Sequence, residues 1–281
     1  MSQMKRVAAI HDISGVGRSS LTVVLPILSA AGVECSVIPT AVLSTQTSGF
    51  EGFTFRDLSQ DMMGIAEHWK KEGIRFDGFY SGYLGSQAQI GIVKGIFNLL
   101  RSEQSLVMVD PVLGDNGEFY SLIGKEYAMG MAELCGCADI ILPNRTEAAF
   151  LLGREYCDLP MSKAEVDEVL AALAGLGPRQ VVLTGVSFGS DDMGVACLDG
   201  STGQVDYVMA ERIDGVYYGT GDVFGSFLMG GLMRGKSLAQ AARIAVDHTC
   251  SAILLSAEDS ADPRLGVPFE SVLPSYWNSL Q

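Results

Sequence analysis

Positive charge is scarce in this sequence. Lys and Arg total 19 against 33 Asp and Glu, giving a net charge of −14 and a pI near 4.5 over 281 residues. Binding nucleic acid or an anionic membrane surface takes clustered Lys and Arg, so neither is expected as a partner. An anionic substrate would have to be met by helix N-termini, a metal ion or a few isolated cations. Histidine is scarcer still. His11, His68 and His248 stand too far apart to form a helix-spaced metal pair, and the last two fall in helical patterns. The six cysteines, at 35, 135, 137, 157, 197 and 250, lie mostly in apolar surroundings and read as buried thiols of a reducing compartment. Cys135 and Cys137 form the one close pair and lack the second pair or histidines of a zinc site. No apolar run reaches the roughly 18 residues that span a bilayer. After the polar Met1 to Arg6, the apolar stretch 7–10 is too short for a signal-peptide core. The expectation is a soluble, cytoplasmic protein. No Gly-x-Ser-x-Gly elbow points to an α/β hydrolase. No repeat or low-complexity linker divides the chain, so residues 1–281 are expected to form one domain.

What is present is apolar periodicity. With 48% hydrophobic residues the chain can bury one large core. Buried-strand runs are expected at 7–10, 34–42, 76–80, 106–109, 139–142 and 180–183. Between them the spacing predicts helices at 19–31, 58–71, 87–100, 125–137, from Pro143 onward, and at 162–176. This alternation implies an α/β fold with a mainly parallel sheet covered on both faces. Segments 195–198 and 204–210 alternate about Asp199-Gly200 and read as an added antiparallel hairpin. A helix to about Met233, another at 237–255 and a C-terminal segment with Trp277 follow.

Polar loops gather where the expected strands end, which is where open α/β sheets bind ligands. They include His11 to Ser20, Ser44 to Gly49, Ser81-Gly82-Tyr83-Leu84-Gly85-Ser86, Asp110-Pro111-Val112-Leu113-Gly114-Asp115, and Thr184-Gly185. The sharpest signal is Asp214 to Gly225, where Gly219-Thr220-Gly221-Asp222 runs straight into an apolar helical pattern beginning at Val223. Glycines let the backbone turn tightly and approach a ligand, and the helix start favours an anion such as phosphate. Asp222 is then either a helix cap or a base beside a phosphate site. Asn144 and Glu147 lie three apart at a helix start. They fit a capping box and also oxygen donors near Mg²⁺ and phosphates, and the two roles can coexist.

Two motifs are decoys. Gly15-Val16-Gly17 with Ser20 is one residue short of the dinucleotide fingerprint and lacks its acidic partner. Gly230 to Ser237 matches the Walker A pattern letter for letter, but helical spacing precedes it where a buried strand is required. It is better read as a helix–turn–helix connection, with Gly235 near a C-cap and Ser237 an N-cap.

These stretches, with Thr47 in its Thr-Ser-Gly loop and Asp139 to Glu147, resemble the pyridoxal (vitamin B6) kinases of the ribokinase-like superfamily over nearly the whole chain. The Gly-Thr-Gly-Asp variant and the Ser-Gly-Tyr-Leu-Gly-Ser segment suit the bacterial pyridoxamine/pyridoxal branch better than the sugar kinases. The resemblance implies a three-layer α/β/α sandwich and transfer of the ATP γ-phosphoryl group to the 5′-hydroxymethyl of a B6 vitamer. It implies Asp222 as base, and Gly219, Thr220 and Gly221 as anion hole. It places Thr47 and Tyr83, with His11 nearby, against the vitamer. Asp110, Asn144 and Thr184 would face ATP, and Asp115 and Glu147 a Mg²⁺ ion. A monovalent cation and a homodimer are further family expectations. Ile10 stands where a ring-contacting serine is expected, and Leu142 where a polar residue near the monovalent cation is expected. A hydroxymethylpyrimidine kinase and a non-catalytic B6-binding protein are the alternatives.

Overall fold

The computed structural model describes residues 4–47, 49–120, 123–258 and 262–281. The chain begins with β1 (Arg6–Ser14), α1 (Leu21–Ala30), β2 (Glu34–Leu43), β3 (Phe55–Asp57), α2 (Ser59–Lys71), β4 (Gly78–Ser81) and α3 (Gln87–Leu100). It continues through β5 (Leu106–Val109), the short pair β6 (Gly114–Asp115) and β7 (Glu118–Phe119), α4 (Lys125–Cys135), β8 (Ile140–Ile141), α5 (Arg145–Leu151) and α6 (Lys163–Ala174). It ends with β9 (Gln180–Val186), β10 (Asp192–Asp199), β11 (Gln204–Glu211), α7 (Thr220–Met233), α8 (Leu238–Glu258) and α9 (Leu273–Ser279).

One nine-stranded sheet forms the middle layer, in the order β3-β2-β1-β4-β5-β8-β9-β10-β11. The six strands from β2 to β9 pair in parallel. The hairpin β10–β11 closes one edge antiparallel, as its alternation predicted. At the other edge the three-residue β3 pairs antiparallel with β2, a strand too short to carry a sequence pattern of its own.

Alternation within the strands supplies both faces. Val7, Ala9, Tyr80 and Val182 point into a core with α1, α7, α8 and α9. Ala8, Ile10, Phe79 and Leu183 point the other way, into a core with α2 to α6. The result is the α/β/α sandwich expected.

β1 runs further than its apolar residues suggest, taking in His11 to Ser14. Pro39 on β2 lies opposite His11 and has no N–H to give the ladder, and the register shifts there between His11 and Ile13. The extra residue is on β2, between Pro39 and Val42, and Asp12 lies opposite this bulge. The cysteines depart from expectation in one respect: Cys157 is exposed, while Cys135 and Cys197 are buried. All six thiols are free.

Candidate active site

Gly219 is the N-cap of α7 and adopts φ 76°. A Cβ on it would lie 2.2 Å from the Arg18 carbonyl oxygen, so only glycine fits. The helix starts at Thr220, earlier than the apolar pattern from Val223 suggests, so Thr220, Gly221 and Asp222 form its first turn. The Val223 N–H donates to the Gly219 carbonyl at 3.1 Å, and the N–H groups of 220–222 precede that bond at the open helix start. A Cβ on Gly221 would meet nothing within 4 Å, so the space before it is open.

Asp222 does not cap its own helix, because no side chain caps α7. Its Oδ2 accepts the Ser20 N–H at 2.8 Å instead. Burial pushes its carboxyl up to about 7; the Ser20 N–H opposes this and the negative charge of Asp12 adds to it. A carboxylate poised near neutrality suits a general base.

Asp110 follows β5 and is buried. Burial, then the charges of Glu147 and Asp222, hold its carboxyl well above the usual range. Asn144 and Glu147 form a capping box at the start of α5. Both Glu147 oxygens are engaged by backbone donors, Leu113 N–H at 2.9 Å and Asn144 N–H at 2.8 Å. Burial nevertheless raises Glu147 to about 7, against the pull of those amides. The Asn144 amide nitrogen also donates to the Gly114 carbonyl at 2.9 Å, tying α5 to the 110–115 turn. Asp115 on that turn is exposed. Thr184, forty positions along the chain, forms a parallel bridge with Asn144 and donates its N–H to the Pro143 carbonyl at 2.9 Å.

The side chains of Asp12, Asp110, Asp115, Glu147 and Asp222 are in no salt bridge among the described residues. No three His, Cys, Asp or Glu side chains converge as a metal cage among those residues. An excess of oxygen-only donors without a counter-charge, three of them buried, fits a hard cation that brings further oxygens with it.

Tyr83, in the loop after β4, is nearly buried, and its carbonyl accepts the Thr40 hydroxyl at 3.2 Å. The wholly buried Gln89 fixes the same segment. Its Oε1 accepts the Gly85 N–H at 2.8 Å, and its Nε2 donates to the Thr40 carbonyl at 2.9 Å. Thr47 is half-buried in the loop after β2, and its neighbour Ser48 lies outside the described residues. Gln46 Nε2 donates to the Arg264 carbonyl at 2.6 Å, joining that loop to the C-terminal segment.

Two expectations change. His11 does not follow β1 into the cleft but lies within the strand, fully buried, edge-on to Tyr80 with ring centroids 4.5 Å apart. Burial holds its imidazole down at about 3, hence neutral. Ile10 points into the opposite core, so the polar β1 side chain beside Tyr83 is Asp12. Asp12, Ser20, Tyr80 and Gly225 belong to the site and were not singled out by the sequence. The one available hint was that Asp12 and Ser20 lie in a polar loop at a strand's carboxyl end.

The Walker A look-alike is a helix connection, as its context indicated. Gly230 and Gly231 lie inside α7. Gly235 turns the chain at φ 80°, and the Ser237 hydroxyl accepts the Gln240 N–H at 3.3 Å.

Comparison with known proteins agrees with this fold. Residues 25–262 match the family model of phosphomethylpyrimidine kinase. The pyridoxal kinase of Ovis aries is 30% identical over 251 residues, covering 82% of this chain and 78% of that protein. A Bacteroides thetaiotaomicron protein, provisionally assigned as a phosphomethylpyrimidine kinase and crystallised with pyridoxal, superimposes with TM-score 0.93 at 38% identity, covering 98% of this chain and 96% of its own. Pyridoxal kinase from Lactobacillus plantarum superimposes with TM-score 0.89 at 34% identity and 98% coverage of both chains.

Proposed function

The chain belongs to the phosphomethylpyrimidine kinase family, and from that premise we propose that it phosphorylates the 5′-hydroxymethyl group of a B6 vitamer with ATP. The observation that carries this reading is Asp222, held by Ser20 beside an open, glycine-led helix start. The pyridoxal in a relative at 38% identity favours a vitamer over a pyrimidine or a merely bound ligand. Residues 1–281 act as one kinase domain on this reading.

Phosphoryl transfer leaves the protein little covalent work; positioning and charge stabilisation dominate. Asp222 takes the proton from the hydroxymethyl oxygen as that oxygen attacks the γ-phosphorus and the bond to the β-phosphate oxygen breaks. The amides of 219–221 stabilise charge on the transferring group, an interaction type that contributes about 10²–10³-fold. Thr47 and Tyr83 hold the vitamer, with His11 behind Tyr80 rather than against the ring. Asp110, Asn144 and Thr184 face the nucleotide. Mg²⁺ would be held by Asp115 and Asp110, with Glu147 acting through water because its oxygens already serve Leu113 and Asn144. When bound, it would neutralise phosphate charge. A homodimer and a cytoplasmic location belong to this reading as family expectations; among the described residues no helix is long and apolar enough to cross a membrane.

The test is ATP consumption with pyridoxal, pyridoxamine, pyridoxine and hydroxymethylpyrimidine, each with and without Mg²⁺. Mg²⁺-dependent phosphorylation of a vitamer is expected. Turnover of the pyrimidine alone would move the chain to the other acceptor, and binding without turnover would make it a B6-binding protein.

A further inference from the structure

The residue that holds Asp222 is itself strained. Ser20 adopts φ 51°, one of two non-glycine residues with positive φ among the described residues. A serine disfavours this backbone, and such residues persist only where their surroundings hold them. Helix capping does not explain it. Ser20 precedes α1, yet its side chain makes no cap bond.

Its hydrogen bonds go elsewhere. The hydroxyl donates to Asp12 Oδ1 at 2.5 Å, and the backbone N–H donates to Asp222 Oδ2 at 2.8 Å. Asp12 is buried near the end of β1, opposite the bulge in β2, and its other oxygen accepts the Ser14 hydroxyl at 3.3 Å. Ser20 thus joins two carboxylates that are 210 positions apart in sequence, one on β1 and one on α7.

We propose that Asp12, acting through Ser20, is a positioning residue for Asp222: it holds Ser20 in the left-handed backbone that aims its N–H at Oδ2, and so fixes the direction of the carboxylate. This rests on the kinase reading of Asp222. Without the hydroxyl anchor Ser20 would relax toward ordinary backbone angles and its N–H would swing off Asp222. The freed carboxylate would then sample orientations that do not face the acceptor hydroxyl, which lowers turnover rather than substrate binding. Asp12 also acts by charge. The groups facing Asp222 are Asp12 from β1, Asp110 after β5, Tyr80 on β4 and Tyr120 after β7. Only Asp12 and Asp110 among them are carboxyl groups, and Asp12 is the one that shares a hydrogen-bond donor residue with Asp222.

Asp12→Ala, Asp12→Asn, Ser20→Ala and Ser20→Gly separate the parts of the argument. Asp12→Ala and Ser20→Ala should lower kcat about ten- to hundredfold, the worth of a hydrogen bond to a charged group, with KM for ATP and pyridoxal nearly unchanged. Asp12→Asn keeps an acceptor oxygen and should regain most of the rate, while moving the acidic limb of the kcat profile to lower pH because a like charge is gone. Ser20→Gly accepts positive φ freely and should melt higher and turn over faster than Ser20→Ala. A second readout needs no turnover: the Asp222 carboxyl, followed by carbon NMR in ligand-free protein, should titrate lower in Asp12→Asn than in wild type. An inactive wild type would sink the kinase reading while this titration still judged the coupling. Unchanged kcat in Asp12→Ala, equal loss in Ala and Asn, a change confined to the KM for pyridoxal, or an unmoved titration would overturn the proposal.

Discussion

Gly225 leaves Tyr80 just enough room: a Cβ on Gly225 would lie 2.2 Å from the Tyr80 hydroxyl oxygen and 3.0 Å from the ring carbon that bears it. The hydroxyl is buried and has no hydrogen-bond partner among the described residues. α7 therefore seats on β4 through a glycine placed three residues after the proposed base.

Gly225→Ala should push α7 off the sheet, at a cost of about 1–3 kcal/mol for overpacking, and lower kcat by displacing Asp222. Tyr80→Phe should be close to neutral, since an unpaired buried hydroxyl contributes little. Combined, the two should recover part of the loss but not all, because the ring carbon remains at 3.0 Å. A double-mutant cycle of melting temperatures reads this coupling; strict additivity would contradict the packing argument.

Gly219 and Gly221 should behave differently although they flank one threonine. Gly219→Ala meets both a left-handed backbone and the Arg18 carbonyl at 2.2 Å, and the backbone alone costs about 1–2 kcal/mol. It should lower the melting temperature and the activity together. Gly221→Ala has free space around it and lies in a helix, so it should melt at or above wild type. Its methyl group would occupy the space where the phosphoryl group is proposed to pass. Activity should then fall while stability does not, which kinetics and melting curves on the same preparation would show.

Asp222 sets a pH dependence of opposite sign in activity and in stability. Its folded value, about 7, lies above the ordinary 3.8. Turnover should rise with pH through about 7 as the base ionises. A raised carboxyl contributes stability that is fully present below its unfolded value and is lost as pH rises through the folded one. The ligand-free protein should therefore weaken between pH 5 and pH 8. Asp222→Asn should abolish most activity, keep nucleotide binding, and melt above wild type at pH 8 by about 1–3 kcal/mol, the full shift being reduced by solvent reaching a half-buried group. At pH 5 the difference should shrink. Melting curves at the two pH values, with ADP titrated into both proteins, check each part; equal melting of the two proteins at pH 8 would show that the carboxyl is not strained by its surroundings.

Local pattern fixed a good deal of this molecule. The helix at 87–100 and the strand at 106–109 coincide with their expected bounds, because each carries a complete apolar period between polar breaks. The alternation of such segments implied the parallel sheet, and the alternating pair after it implied the edge hairpin. The glycine turn and Asp222 were legible because a turn of that kind is contiguous in sequence. So was the capping box of Asn144 and Glu147, whose partners are three residues apart.

Tertiary structure decided what depends on distant partners. β3 exists only because β2 offers it an edge. His11 left the cleft because β1 continues past its apolar residues, which carries Asp12 to the end of the strand opposite the bulge in β2. Whether Asp222 caps a helix or faces a reaction could not be read from its own neighbours. Its hydrogen bond comes from Ser20, 202 positions away, and periodicity over a turn or a strand carries no information about a contact at that separation. The carboxyl pKa values have the same origin. The sequence supplies the acids, but only the packing around them determines how much water and opposite charge they lose.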